Sequence, residues 1–126
     1  MNASDGYTGM FALRGVQTQE ALARFAGDEE RYRHWLVEFI DHGPAAAAQI
    51  RQAITNGSLE TATVLAHSLK GRTGMLGMVE LHSISQTLET TLKNSEPTAL
   101  WLDELDRTVL EMSKQISDVL GARPAK

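Results

Sequence analysis

Apolar residues recur at three- and four-residue spacing along most of the chain, which is the period of an α-helix with one buried face. One clear stripe is formed by Tyr32, Trp35, Leu36, Phe39 and Ile40. No stretch alternates apolar and polar residues between turn signals, so no strand is predicted. The pattern predicts an all-α protein. Its helices are expected at about residues 18–26, 28–42, 44–55, 59–75, 79–94 and 97–120.

Glycine and proline mark the expected ends of these helices. Gly suits the residue after a helix and Pro the first turn of the next, so His42-Gly43-Pro44 is interpreted as a break. Asn56-Gly57-Ser58 is a second break, with Ser58 as a candidate N-cap. Links this short favour an up-down-up-down antiparallel four-helix bundle with an additional short N-terminal helix.

Composition narrows the class of protein. The 126 residues fit one domain, and the absence of cysteine excludes disulfides and thiolate chemistry. We expect a flexible N-terminal tail at residues 1–12, one domain at residues 13–121 and a C-terminal tail at residues 122–126. No apolar run is long enough to cross a membrane, no signal-peptide pattern is present, and the net charge of -4 disfavours nucleic acid and anionic membranes. A cytoplasmic monomer is therefore predicted.

The stretch Ala66-His67-Ser68-Leu69-Lys70-Gly71 brings an imidazole, a cation and a missing side chain within about one helical turn. A neutral imidazole is a nucleophile that can take a phosphoryl group, and the ammonium of Lys70 could neutralise phosphate oxygens. Gly71 would let a donor approach closely. The other ring nitrogen of His67 needs an orienting partner, for which Gln86 and Glu89 on the next helix are candidates.

A helical wheel places His67 outside the face that we expect to be buried. That face consists of Leu59, Ala62, Ala66, Leu69 and Thr73. Val64, Gly71 and Gly74 share the outer stripe of His67, and Arg72 adds a second cation close by. Val64, Arg72 and Gly74 are therefore predicted to contact a partner, in a local field that is positive although the whole chain is acidic.

This region resembles the histidine-containing phosphotransfer (HPt) domains of bacterial two-component phosphorelays. The family pattern is Ala-His-x-Leu-Lys-Gly, four further residues, an apolar residue and Gly, which Ala66 to Gly77 reproduces. Arg72 and Thr73 stand where the family often has small residues, so partner preference could differ. The resemblance covers about residues 13–95, and the last helix is similar only in character.

The resemblance implies that His67 accepts a phosphoryl group from a receiver-domain aspartate and passes it to an aspartate of another response regulator. Lys70 would support the phosphate electrostatically, and Gly71 would be the position of close contact. Glu89 stands where family members carry the Gln or Glu that contacts the imidazole, so it is preferred to Gln86. The partners would be receivers of a hybrid sensor kinase or a response regulator. The receiver, not this chain, would hold Mg²⁺.

Two other functions are open at this point. The same surface could belong to a docking module that binds a receiver or another signalling protein without phosphotransfer. A self-contained kinase or phosphatase is disfavoured because the chain lacks a G-x-x-x-x-G-K-[ST] loop, although a parent hybrid histidine kinase would be an enzyme. No metal site is predicted, since His34 and His42 are two turns apart and no cysteine completes a set.

Overall fold

The computed structural model describes residues 9–121, and almost all of them are helical. The chain forms a 3₁₀ helix at Gly9–Ala12, then α1 at Thr18–Arg24, α2 at Glu29–Thr55, α3 at Leu59–Leu76, α4 at Val79–Lys93 and α5 at Ala99–Leu120. Within this described part the only strand-like pairing is an isolated bridge between Val16 and Met78. The prediction of an all-α protein is confirmed. Residues 1–8 and 122–126, most of the two predicted tails, lie outside the described residues.

The predicted helix break at His42-Gly43-Pro44 is wrong, because α2 runs through it. Pro44 removes one backbone donor, at a cost that usually kinks or ends a helix. Here residues on both sides of Pro44, such as Phe39 and Ile50, are buried in one core, which holds the two halves in line. A Cβ at Gly43 would lie 2.6 Å from the Phe39 ring, so this glycine makes room for the ring rather than ending a helix.

The four long helices enclose one core. Helix α2 packs against α3 and α5, and α4 packs against the same two helices. The buried apolar side chains include Leu36, Ile50, Leu69, Leu88, Leu105 and Ile116. Leu59 was predicted to be buried, but it is the first residue of α3 and 39% exposed, so the buried face of this helix begins one turn later at Ala62.

The segment before α1 is part of the packed structure. The side chain of Met10 is fully buried and that of Leu13 nearly so, and the 3₁₀ helix packs against α5 and α1. Packed structure therefore begins before residue 13, where the predicted domain started, because Met10 supplies apolar surface that the end of the bundle buries.

This N-terminal segment also holds the turn that joins α3 to α4. The amide of Gln17 donates to the carbonyl of Gly77 at 2.8 Å, and Val79 donates to Gly15 at 3.1 Å. Gly77 has a φ of +80°, which favours glycine, and a Cβ there would lie 2.7 Å from the Gln17 carbonyl oxygen. The Arg24 guanidinium caps the end of α3 by donating to the carbonyls of Gly74 and Met75. The helix that carries His67 is thus fixed at its C-terminal end.

Candidate functional site

His67 lies in the middle of α3 with its ring directed away from the core. Its neighbours Ala66 and Leu69 are buried, and the helical period then places His67 outside. The imidazole is 66% exposed. It is therefore open to a reaction partner on one side.

The other side of the ring contacts Glu89 of α4. The distance from His67 Nδ1 to Glu89 Oε2 is 2.9 Å, and the glutamate side chain is only 6% exposed. The hydrogen bond from Lys70, with smaller contributions from Lys93 and His67, lowers the pKa of Glu89 to about 2 although burial opposes this. An ionised carboxylate can only accept, so Nδ1 carries the hydrogen. In the neutral ring, the free lone pair is then on Nε2.

Two lysines hold the Glu89 carboxylate. Lys70 Nζ lies 2.9 Å from Oε1, and Lys93 Nζ lies 3.2 Å from Oε2. Lys70 was predicted as a site residue, whereas Lys93 was missed. Its spacing of four residues from Glu89 on one helix is the sequence signal that could have found it.

Gly71 and Gly74 differ in their surroundings. A Cβ on Gly71 would meet nothing within 4 Å, so packing inside the described part of the chain does not require a glycine there. A Cβ on Gly74 would lie 2.9 Å from Nδ1 of His82, which donates to the Lys70 carbonyl at 3.0 Å. Gly74 thus lets α4 approach α3 through His82. Its predicted contact with a partner stays a prediction beside this internal role.

The two remaining predictions on this surface concern Gln86 and Val64. Gln86 is exposed on α4, and within residues 9–121 it is Glu89 that contacts the imidazole of His67. Val64 lies one turn before His67 and is 60% exposed. Val64 is therefore available to a partner, and its role there stays a prediction.

Arg72 is directed toward α2. Its Nη1 donates to Glu38 Oε1 at 3.0 Å, and the guanidinium lies 5.7 Å from the centre of the Trp35 ring. The expected positive field is therefore weaker than the sequence indicated, because Lys70 and Arg72 each meet a carboxylate from a neighbouring helix.

A groove of about 510 Å³ begins beside Arg72 and Gly71. Its lining is mainly apolar and includes Phe25, Trp35, Leu65 and Met75. The groove adjoins the turn of α3 that carries His67, so a partner that reached the imidazole could also contact this apolar surface.

The described residues contain neither a metal-binding cluster nor a membrane-spanning helix. In the part of the chain that the structure describes, no cluster of three or more His, Cys, Asp or Glu side chains could hold a metal ion. No helix within residues 9–121 is long and apolar enough to cross a membrane.

Comparison with known proteins gives one result. The model of the Hpt domain family matches residues 34–121, which include most of α2, the whole of α3, α4 and α5, and the residues around His67. The searches of curated proteins and of solved structures each gave no match. The family match spans more than half of the chain.

Proposed function

The chain belongs to the Hpt domain family, and from that premise we propose that it is a phosphorelay intermediate. It accepts a phosphoryl group on His67 from a receiver-domain aspartate and passes the group to an aspartate of another response regulator. Hpt domains are phosphotransfer modules rather than enzymes with a catalytic site of their own. This chain therefore depends on its partners for the supply of phosphate.

The observation that carries the proposal is the contact between exposed His67 and buried Glu89. Because the carboxylate keeps the hydrogen on Nδ1, the lone pair of Nε2 is presented on the exposed side of the ring. This lone pair forms the new N–P bond while the P–O bond to the receiver's aspartate breaks, and the bonding pair leaves on the carboxylate. The ring becomes cationic and keeps its Nδ1 hydrogen on Glu89. The reverse step discharges it.

The surrounding residues assist in two ways. The ammonium of Lys70, held 2.9 Å from Glu89, places positive charge beside the incoming phosphoryl oxygens. The bare backbone of Gly71 leaves room for the receiver to reach Nε2. Mg²⁺, which phosphoaspartate chemistry uses, would be held by the receiver, so this chain binds no cofactor.

We also propose how the helices are arranged and where and with which partners the protein acts. Contacts between neighbouring helices support an up-down-up-down bundle. His67 of α3 contacts Glu89 of α4, and the two residues lie at similar distances along the chain from the short link between these helices, as in an antiparallel pair. The guanidinium of Arg33, near the start of α2, donates a hydrogen bond to the carbonyl of Leu120 at the end of α5, as expected for antiparallel helices. We further propose a cytoplasmic monomer whose partners are receivers, and neither nucleic acid nor membranes.

The test is to incubate the protein with phosphorylated receiver domains and to look for acid-labile, alkali-stable label. Wild type should take up label, and His67→Gln should take up none. His34→Gln is the matched control, because His34 is an exposed helical histidine away from Glu89. Full labelling of His67→Gln, or no labelling of wild type with any receiver, would contradict the proposal.

The groove beside Gly71 favours a second candidate function, which is docking without phosphotransfer. An apolar groove next to an exposed histidine could bind a signalling protein by itself. In that case wild type and His67→Ala would bind a receiver equally well, and neither would exchange phosphate with it. Transfer to wild type decides in favour of the relay.

A further inference from the structure

Lys93 has a different environment from an ordinary surface lysine. Its side chain is 61% exposed, yet its ammonium pairs with a carboxylate that is almost fully buried. Lys114 and Asp118 form a pair with the same four-residue spacing, but there both partners are exposed. Exposed pairs of this kind contribute little to stability, whereas a charge that is buried needs its partners. Lys93 therefore helps to stabilise the charged form of Glu89.

Lys93 is also close to the reacting ring. Lys93 Nζ lies 3.2 Å from Glu89 Oε2, and His67 Nδ1 lies 2.9 Å from the same oxygen. The two nitrogens are therefore within about 6 Å of each other. Over this distance a charge that is partly shielded from water interacts appreciably with the ring and with a group bound to it.

The balance of charge gives Lys93 a role. Glu89 orients the ring, but its negative charge repels an incoming phosphoryl group. Lys70 alone would only neutralise Glu89. With Lys93 present, the two ammonium groups and one carboxylate leave one net positive charge next to the neutral imidazole.

We propose that Lys93 is a positioning residue of the acceptor site, which acts through Glu89 to keep this site attractive to anionic phosphoryl donors. The inference rests on the proposed role of His67 as phospho-acceptor. It adds that His67 can accept a phosphoryl group rapidly beside Glu89 because a second cation, Lys93, offsets the negative charge of the glutamate. The same cation favours the phosphorylated state, in which the bound group carries negative charge.

The experiment uses phosphoramidate, a small donor that needs no protein partner. The Nε2 lone pair of His67 forms the N–P bond, the bond from phosphorus to the amine breaks, and its electron pair leaves with ammonia. The rate of phosphohistidine formation is measured for wild type, Lys93→Met, Lys93→Arg and Lys114→Met. Lys114→Met is the matched control for loss of an exposed paired lysine. Thermal unfolding of each variant establishes that it is folded.

The expected result is a rate for Lys93→Met about threefold to tenfold below wild type, with Lys93→Arg and Lys114→Met within about twofold. The deficit should shrink at high ionic strength, because salt screens a partly exposed charge. A rate for Lys93→Met equal to that of wild type would overturn the inference. So would a Lys93→Arg variant as slow as Lys93→Met, since packing rather than charge would then matter.

A second arm repeats the measurement with a phosphorylated receiver. A Lys93→Met variant that is slow with the receiver but normal with phosphoramidate would place Lys93 in docking, which also overturns the inference. If wild type reacts with phosphoramidate but with no receiver, the relay function fails, and the rate of Lys93→Met with phosphoramidate still decides the role of Lys93. No phosphohistidine on wild type with either donor contradicts both.

Discussion

Replacing Glu89 with glutamine keeps the shape of the side chain but removes the charge that Lys70, Lys93 and His67 contact. The variant retains an oxygen for the Nδ1 hydrogen of His67. It loses the ion pairs, and with them a part of the folding stability that depends on pH. The structure determines both the size and the pH range of this loss.

Its size follows from the pKa of Glu89, which is lowered from 4.5 to about 2. A difference this large between the unfolded and folded chain corresponds to about 3 kcal/mol of stability at neutral pH. Lys93 and His67 are open to water, so screening reduces the expected contribution to about 1–2 kcal/mol. Because the pKa is lowered in the folded state, this stability is present above pH 4.5 and is lost as the pH falls toward 2.

The assay is urea unfolding, followed by the helical circular dichroism signal, at about pH 6 and about pH 2.5. Between the higher and the lower pH, the free energy of unfolding should fall by about 1–2 kcal/mol more for wild type than for Glu89→Gln. Glu111→Gln is the control, because Glu111 is an exposed carboxylate that pairs with Arg107 on the surface. Parallel losses in wild type and Glu89→Gln would show that the buried carboxylate is not stabilised as the contacts indicate.

Three other substitutions test the surface around His67. Gly71→Ala should raise stability by about 1 kcal/mol, because its Cβ meets nothing, yet slow transfer from a receiver while leaving reaction with phosphoramidate unchanged. Gly74→Ala should instead lower stability by about 1–2 kcal/mol in urea unfolding, because its Cβ meets the His82 ring. Arg72→Ala should change relative transfer rates among different receivers without changing the rate with phosphoramidate. Equal changes in the free energy of unfolding for the two glycine substitutions would contradict the first two expectations. An Arg72→Ala variant with unchanged receiver preference would contradict the third.

The helical pattern predicted α3, α4 and α5 well because each buries one regular apolar face between clear turn residues. It failed at Gly43 and Pro44, where local propensity favours a break. The Phe39 ring covers Gly43, and burial on both sides of the proline outweighs that propensity. It also could not show that Met10 is buried, because a run of four apolar residues, Met10 to Leu13, carries no helical period that would say which of them faces the core.

The site shows a similar division. The spacing around His67 predicted its exposure, and the family resemblance favoured Glu89, which the structure brings to the ring. The ion pair between Arg72 and Glu38 depends on how α2 and α3 are rotated against each other, which no spacing within one helix reports. Lys93 was within reach of the sequence, but its importance depends on Glu89 being buried.

In the proposed reaction, Nε2 of His67 accepts the phosphoryl group while Glu89 holds the hydrogen on Nδ1. Its most direct test is an NMR measurement on ¹⁵N-labelled protein that a receiver has phosphorylated, in which phosphorus–nitrogen coupling identifies the bonded atom. We expect that coupling at Nε2 of His67, with a hydrogen still on Nδ1. Phosphorus bonded to Nδ1, or to a residue other than His67, would contradict it.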